Sequence, residues 1–255
     1  MLAHRMMSPE ITALLLTRDR LEMTRVSYLM FTKQTYPNKK LLILSDGEPD
    51  EIAALNEYTS DARVTLLTTA SGKTLGELRN IAVSHASDLS IQWDSDDWYG
   101  TDRMQVQYDA LGDKAAVLLL EQLHYIADTN EVGWVIDPSG IEGTVLLDRR
   151  CGFQYPHISI REDTALKLQL QQLELINVVP GGICYCRVFH GKNTWDRQHH
   201  LNRISRRGKT ASQLELDWDQ LEHAARIYGW PAGWKVVAGN SEMAADNLRY
   251  KPVQA

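Results

Sequence analysis

Four short apolar runs, at residues 11–16, 41–44, 64–67 and 89–93, constrain the first hundred residues more than any other feature. Each is too short for a buried helix and is closed by polar or turn-forming residues, as a strand covered on both faces would be. Helical spacing fills the gaps between them. Asp19 with Glu22 three residues later predicts a helix start, followed by a stripe of Val26, Leu29 and Met30. Asp50 predicts a cap for a helix reaching Tyr58, and Leu75, Leu78, Ile81, Ala82 and His85 share one helical face. Strand and helix alternating in this way predict βαβ units, hence an α/β chain with a Rossmann-like, mostly parallel central sheet flanked by helices.

The rhythm changes near residue 115. Runs at 116–120, 132–136 and 144–147 lie close together and predict a smaller, mixed or antiparallel region. A helix over 163–173 carries Leu166, Leu170 and Leu173, and strands are predicted at 176–179 and 184–189. After His190 come Arg197, His199, His200, Arg203, Arg206, Arg207 and Lys209, a basic stretch that reads as a loop or lid, then an amphipathic helix over 216–228 with Trp218 in it and Trp230 and Trp234 beyond. The basic residues with the tryptophans also suggest peripheral contact with a membrane surface.

Composition narrows the class. An apolar content of 44% in 255 residues supports a substantial core and excludes a disordered chain. A formal charge of −6 argues against nucleic acid as partner. The three cysteines, Cys151, Cys184 and Cys186, are too few and too uneven for a disulfide framework, and a reducing, cytoplasmic compartment fits them best. No apolar run reaches the roughly 20 residues that span a bilayer, and residues 1–7 lack the apolar centre of a signal peptide.

Chemistry concentrates at one place. Asp94, Asp96 and Asp97 follow the fourth apolar run directly. Carboxylates so close repel unless a cation sits among them, and Mg²⁺ and Mn²⁺ favour oxygen ligands of this kind. The carboxyl end of a strand in an open α/β sheet is where ligand crevices form.

Set in order, the motifs resemble a family-2 glycosyltransferase of GT-A fold over roughly residues 8–195. The resemblance rests on Thr17-Arg18-Asp19-Arg20 after the first strand, Gln34-Thr35-Tyr36-Pro37-Asn38 after the first helix, and Ser45-Asp46-Gly47 after the second strand. It continues through Arg79-Asn80, Asp94-Ser95-Asp96-Asp97, Arg103, Gly143-Thr144, Glu162-Asp163, and Arg187, His190 and Asn193. Two positions depart from the family's pattern: Ser45 stands where an acidic residue is usual, and Arg18 where an aromatic often stacks near the base.

The resemblance implies an inverting, metal-dependent enzyme that moves a sugar from a nucleotide-diphosphate donor, of the UDP or dTDP class, to a hydroxyl on a carbohydrate or lipid-linked acceptor in polysaccharide or glycoconjugate synthesis. It implies work in the cytoplasm, with contact at the inner face of the membrane left open. Residues 1–195 would form the GT-A domain, with 1–114 as the nucleotide-sugar half and 115–195 as the acceptor half; 196–255 would be a C-terminal lid or helical extension. Thr17, Arg18, Asp46, Arg79, Asn80, Asp94 and Asp96 would line the donor site. Asp97, Asp96 and His190 would hold Mn²⁺ or Mg²⁺. Asp163, with Glu162 in reserve, would be the general base. Asp46 could accept a base imide N–H, since an ionised carboxylate is acceptor-only. Two alternatives stay open: a catalytically idle relative that only binds nucleotide or carbohydrate, and a Mg²⁺-dependent nucleotidyltransferase, although residues 17–20 lack the glycines of a phosphate loop.

Overall fold

The computed structural model describes residues 8–240. In chain order the elements are β1 (Ile11–Thr17), α1 (Leu21–Thr32), β2 (Lys39–Ser45), α2 (Pro49–Leu55), β3 (Val64–Thr68), α3 (Leu75–Ser84) and β4 (Leu89–Gln92). Next come β5 (Trp98–Tyr99), α4 (Arg103–Asp109), β6 (Ala116–Leu119), β7 (Glu121–Ile126), β8 (Glu131–Ile136) and β9 (Leu146–Asp148). The chain continues through α5 (Glu162–Gln172), β10 (Ile176–Val179), β11 (Tyr185–Phe189), α6 (Arg197–Arg207), α7 (Ala211–Leu216), α8 (Trp218–Tyr228) and β12 (Lys235–Val236). They form two compact units of interleaved segments. Among the described residues, the first takes the chain up to Asp96, then Thr101–Leu118 and Glu142–Asn177; the second takes Asp97–Gly100, Leu119–Ile141 and the described chain from Val178 to Asn240.

The first unit is built on a seven-stranded sheet of order β10-β6-β9-β4-β1-β2-β3. β1 pairs in parallel with β2 and β4, and β2 with β3, while β9 runs antiparallel to β4 and β6. Ile11, Ala13, Leu14 and Leu15 of β1 and Leu41 to Leu44 of β2 are buried, as strands covered on both faces must be. Leu14, Leu42 and Leu44 pack against Leu78 and Ala82 of α3 on one side. Ala116, Leu118 and Leu147 pack against Tyr155, Leu166 and Leu170, which seats α5.

The alternation predicts this sheet correctly, but several helix details differ. In α1 the buried residues are Thr24, Ser27 and Phe31, whereas Val26 is 40% and Leu29 45% exposed. The small polar face wins because it has partners: the Thr17 and Thr24 hydroxyls bond at 2.9 Å, and the fully buried Trp93 donates its indole N–H to the Ser27 carbonyl at 3.2 Å. Asp19 does not cap α1. It sits at φ +55°, and the helix starts one residue later without a side-chain cap. Asp50 lies inside the first turn of α2, which Pro49 opens, and the α-helix ends at Leu55 before a 3₁₀ turn over Asn56–Ser60. His85 is an exposed C-terminal residue of α3 and Leu173 is exposed beyond α5, so neither belongs to a buried stripe. The strand expected at 144–147 is shifted, with Thr144 in a 3₁₀ turn and β9 beginning at Leu146.

The second unit holds a five-stranded sheet of order β12-β8-β7-β11-β5. Its central strand β7, Glu-Gln-Leu-His-Tyr-Ile, is buried throughout yet has no apolar run, so the sequence pattern misses it. The stretch after His190 is a helix rather than a loop. Asp196 caps α6 by accepting the His199 amide at 2.8 Å. Its basic residues are largely spent inside the unit. Arg203 and Arg207 both pair with the buried Asp137, and the Lys209 ammonium lies 3.4 Å from the Trp134 ring centroid and 2.8 Å from Asp217. Arg203 and Lys209 are thus largely enclosed, while Arg206 and Arg207 remain exposed.

A line of buried polar groups also joins β7 to α6. The Gln122 amide nitrogen lies 2.5 Å from His124 Nε2, and His124 Nδ1 lies 3.3 Å from His200 Nδ1. Burial, reinforced by Arg187, His199 and Arg203, pushes His200 down to about 3 and His124 well below its ordinary value.

Two outcomes follow. Gly76 lets α3 touch the loop before α5: a Cβ there would stand 1.8 Å from the Pro156 carbonyl oxygen, and its amide donates to Ile158 O at 3.0 Å. Gly76→Ala should lower unfolding free energy by about 1–3 kcal/mol or more, measured by denaturant titration. The folded state also excludes protons from His200 that the unfolded chain binds below pH 6.5. Stability should be fully present above that pH and decline as pH falls towards about 3, and His200→Gln should flatten that part of the pH–stability curve.

Candidate active site

The carboxyl ends of β1, β2 and β4 carry the first unit's site residues. β1 and β2 end in register, Thr17 opposite Ser45, so the next residues, Arg18 and Asp46, emerge side by side. Arg18 grips Asp46 with both edges of one fork: Nε donates to Oδ1 at 2.8 Å and Nη2 to Oδ2. Asp46 and Thr17 are buried, and the Thr17 hydroxyl is engaged by Thr24. Behind Ser45 lies a carboxylate that the motif does not show. Glu51 of α2, also buried, accepts the Ser45 hydroxyl at 3.4 Å and the Arg20 amide at 3.1 Å. An acid thus comes close to the position where the sequence has lost one.

Arg79 is the junction. A reciprocal capping box between Thr74 and Glu77 fixes the start of α3. One turn on, the buried Arg79 donates from Nε to Glu162 at 2.9 Å and from Nη2 to Asp94 at 3.2 Å, with its guanidinium 5.7 Å from the Tyr155 ring centroid. Burial alone would lower the Arg79 pKa, but Asp94 and Glu162 outweigh it and hold the cation firmly charged. Burial raises the Glu162 pKa, and Arg79 only partly offsets it. Asn80 gives both ends of its amide to the Tyr155 backbone at 2.8 Å each, so it holds the loop that leads to Glu162.

Asp94 also accepts from Gln92 Nε2 at 2.9 Å, and Asp96 accepts from Arg20 Nη1 at 2.8 Å. Asp163, in the first turn of α5, is half-buried and accepts the Thr164 amide at 2.7 Å. Arg161 just before it sits at φ +67°, a left-handed backbone that turns the chain into the helix. Asp46, Asp94, Asp96, Arg79, Glu162 and Asp163 thus all lie within the first unit.

Asp97 and His190 belong to the second unit. Asp97 is buried, taking the Tyr185 hydroxyl on one oxygen at 2.5 Å and the Val188 amide on the other at 3.0 Å. The His190 amide donates to Asn193 Oδ1 at 2.8 Å, and Asn193 returns a bond to Val188 O at 2.9 Å, so the Arg-x-x-His-x-x-Asn spacing closes a turn after β11.

Among the described residues no three His, Cys, Asp or Glu side chains converge as a ready metal cage. The donor set nevertheless fits a hard cation of the kind held by one or two carboxylates together with substrate phosphates. Asp96 has the chemistry for that part. The residues the sequence left out are Arg20, Glu51 and Tyr185. Arg20 is visible in the 17–20 motif, whereas nothing local marks the other two.

Comparisons with known proteins bear on the family and the fold. A curated relative from Escherichia coli, the UDP-Glc:alpha-D-GlcNAc-diphosphoundecaprenol beta-1,3-glucosyltransferase WfgD, is 26% identical over 218 residues, 77% of this chain and 81% of that protein. Among solved structures, S. aureus TarS residues 1–349 in complex with UDP-GlcNAc matches with TM-score 0.57 at 12% identity, covering 72% of this chain. The mannosyltransferase PcManGT from Pyrobaculum calidifontis, in complex with GDP-Man and Mn2+, matches with TM-score 0.57 at 13% identity and covers 77% of this chain. This chain spans 60% of each of those two solved chains, and the likeness shows a shared GT-A fold. The model of glycosyl transferase family 2 matches residues 17–192, and the chain belongs to that family.

Proposed function

We propose that this family 2 glycosyltransferase moves a sugar from a uridine or thymidine diphosphate donor to a hydroxyl on a carbohydrate or lipid-linked acceptor, inverting the anomeric carbon. The observation that carries the reading is Arg79, which ties Asp94 at the end of β4 to Glu162 at the start of α5 and so sets Asp163 in the same unit as the donor-side carboxylates. The name of the E. coli relative, with its UDP-glucose donor and diphosphoundecaprenol-linked acceptor, supports the same substrate classes.

In this reading Asp163 accepts the proton of the acceptor hydroxyl as its oxygen bonds to the anomeric carbon and the bond to the donor diphosphate breaks. Glu162 is poorly suited to that work because its carboxylate is buried on Arg79. Asp46 meets the base, and Asp94 and Arg79 brace the ribose and phosphate side. Asp96 would hold Mn²⁺ or Mg²⁺ together with the donor phosphates, and the ion would supply charge neutralisation to the leaving diphosphate when bound. A lipid-linked acceptor would bring the protein from the cytoplasm to the inner face of the membrane. No helix among the described residues is long and apolar enough to cross that membrane.

Transfer assays and donor titrations test the assignment of the base. Asp163→Asn should keep donor affinity near wild type while turnover falls by about 10²–10⁴-fold. Glu162→Ala should instead lower unfolding free energy by about 3–5 kcal/mol, because it strips a buried partner from Arg79. Wild-type turnover in Asp163→Asn would reject Asp163 as base. Calorimetry of UDP binding with Mn²⁺ present and after chelation checks the metal: affinity should fall on chelation, and Asp96→Asn should lose most of the difference. Equal affinity in both conditions would reject the metal role.

A further inference from the structure

We propose that Arg18 and Asp46 act as one base-reading unit, in which Arg18 is the specificity-determining residue of the donor pocket; this rests on the nucleotide-donor reading above. Two observations carry it. The pairing is bidentate, from Nε and Nη2 of one guanidinium edge to both oxygens of Asp46. Exposure across the pair is also sharply unequal. The Asp46 side chain is only 3% exposed, whereas the Arg18 side chain is 49% exposed. Arg18 thus presents itself to solvent, and Asp46 lies largely beneath it.

The chemistry of such a pair differs from that of either residue alone. The guanidinium carries five N–H donors in a rigid fork, and a carboxylate offers about four lone-pair sites, so a bidentate pair leaves capacity on both partners. Asp46 can still accept from a base N–H, while the outer N–H groups of Arg18 donate to a neighbouring carbonyl. The joint edge is a donor beside an acceptor. Its complement is a carbonyl beside an imide N–H, the edge that uracil and thymine present. Because the carboxylate is held at both oxygens, its direction towards the imide is fixed by Arg18. Lysine cannot reproduce this, since a point charge holds one oxygen at a time and offers no second parallel donor.

The register explains why position 18 can do this. β1 and β2 are paired strand ends, so the first residue beyond each strand is a cross-strand neighbour of the other. An aromatic residue at position 18 could stack on a base, but it could not hold both oxygens of Asp46 at once. Arg18 therefore makes recognition here depend on hydrogen bonding to the base edge.

Calorimetric titration of the full chain with UDP and with 3-methyl-UDP, Mn²⁺ held constant, tests the proposal in wild type, Arg18→Ala and Arg18→Lys. Wild type should prefer UDP over the methylated base, which has lost the imide N–H, by about tenfold or more. Both variants should bind UDP about tenfold more weakly, with the preference narrowed to about threefold or less. Arg18→Lys should unfold close to wild type because it keeps a cation beside the buried Asp46, whereas Arg18→Ala strips that partner and should unfold at a lower temperature. UDP affinity and preference unaltered in Arg18→Ala would overturn the proposal, and so would full retention in Arg18→Lys, which would leave only a charge effect. Tighter UDP binding in Arg18→Ala would also overturn it by showing that Arg18 blocks the base. A wild-type protein that binds neither nucleotide would remove the donor reading itself, and this inference with it.

Discussion

The ion triad of Arg79, Asp94 and Glu162, buried at Arg79 and Glu162 and partly open at Asp94, is the interaction on which the rest of the first unit's site depends. Taking Arg79 and Glu162 out of water is costly, and such a group is held only where the geometry satisfies its members. Here the geometry is set by elements distant in sequence: the capped first turn of α3, the end of β4 and the first turn of α5. The guanidinium fork accepts few arrangements of two carboxylates, so it registers the three elements against one another. Tyr155, under the guanidinium, and Asn80, bonded to the Tyr155 backbone, hold the loop that makes this possible.

The same logic recurs along the strand ends. Asp46 is met by Arg18, Asp96 by Arg20 and Asp94 by Arg79. Carboxylates gathered at neighbouring strand ends would repel one another, and each is paired with an arginine of the same unit. The arrangement also bears on substrate binding. A diphosphate brings negative charge to residues already paired with cations, so these arginines are suited to meet it as well as to hold the acids in place.

The second unit solves its electrostatics differently. Asp97 is neutralised by hydrogen bonds from a tyrosine and a backbone amide, and His124 and His200 are kept uncharged by burial. Asp137 gathers Arg203 and Arg207, and Trp134 lies under Lys209. A stretch that looks on composition like a free basic lid is thereby turned into the binding face of α6 and the chain after it.

The sequence by itself determined the layered α/β fold and the identity of the acidic cluster. Both are local: a run of apolar residues between turn residues can hardly be anything but a covered strand, and three carboxylates at a strand end need a cation or a strong partner. What it misread came from long-range packing. α1 buries Thr24 and Ser27 because Thr17 and Trp93 supply partners for them, which no helical periodicity records. Strand β7 is central although polar, because its glutamine and histidine find partners on α6 and on one another. Glu162 and Asp163, neighbours with the same chemistry, differ in surroundings that no local pattern records: the fold places one against Arg79 and leaves the other half-exposed. Residue type sets what a side chain can do, but the partner it meets across the fold decides which of those things it does, because burial and pairing change a carboxylate's energy by more than any neighbour in sequence can.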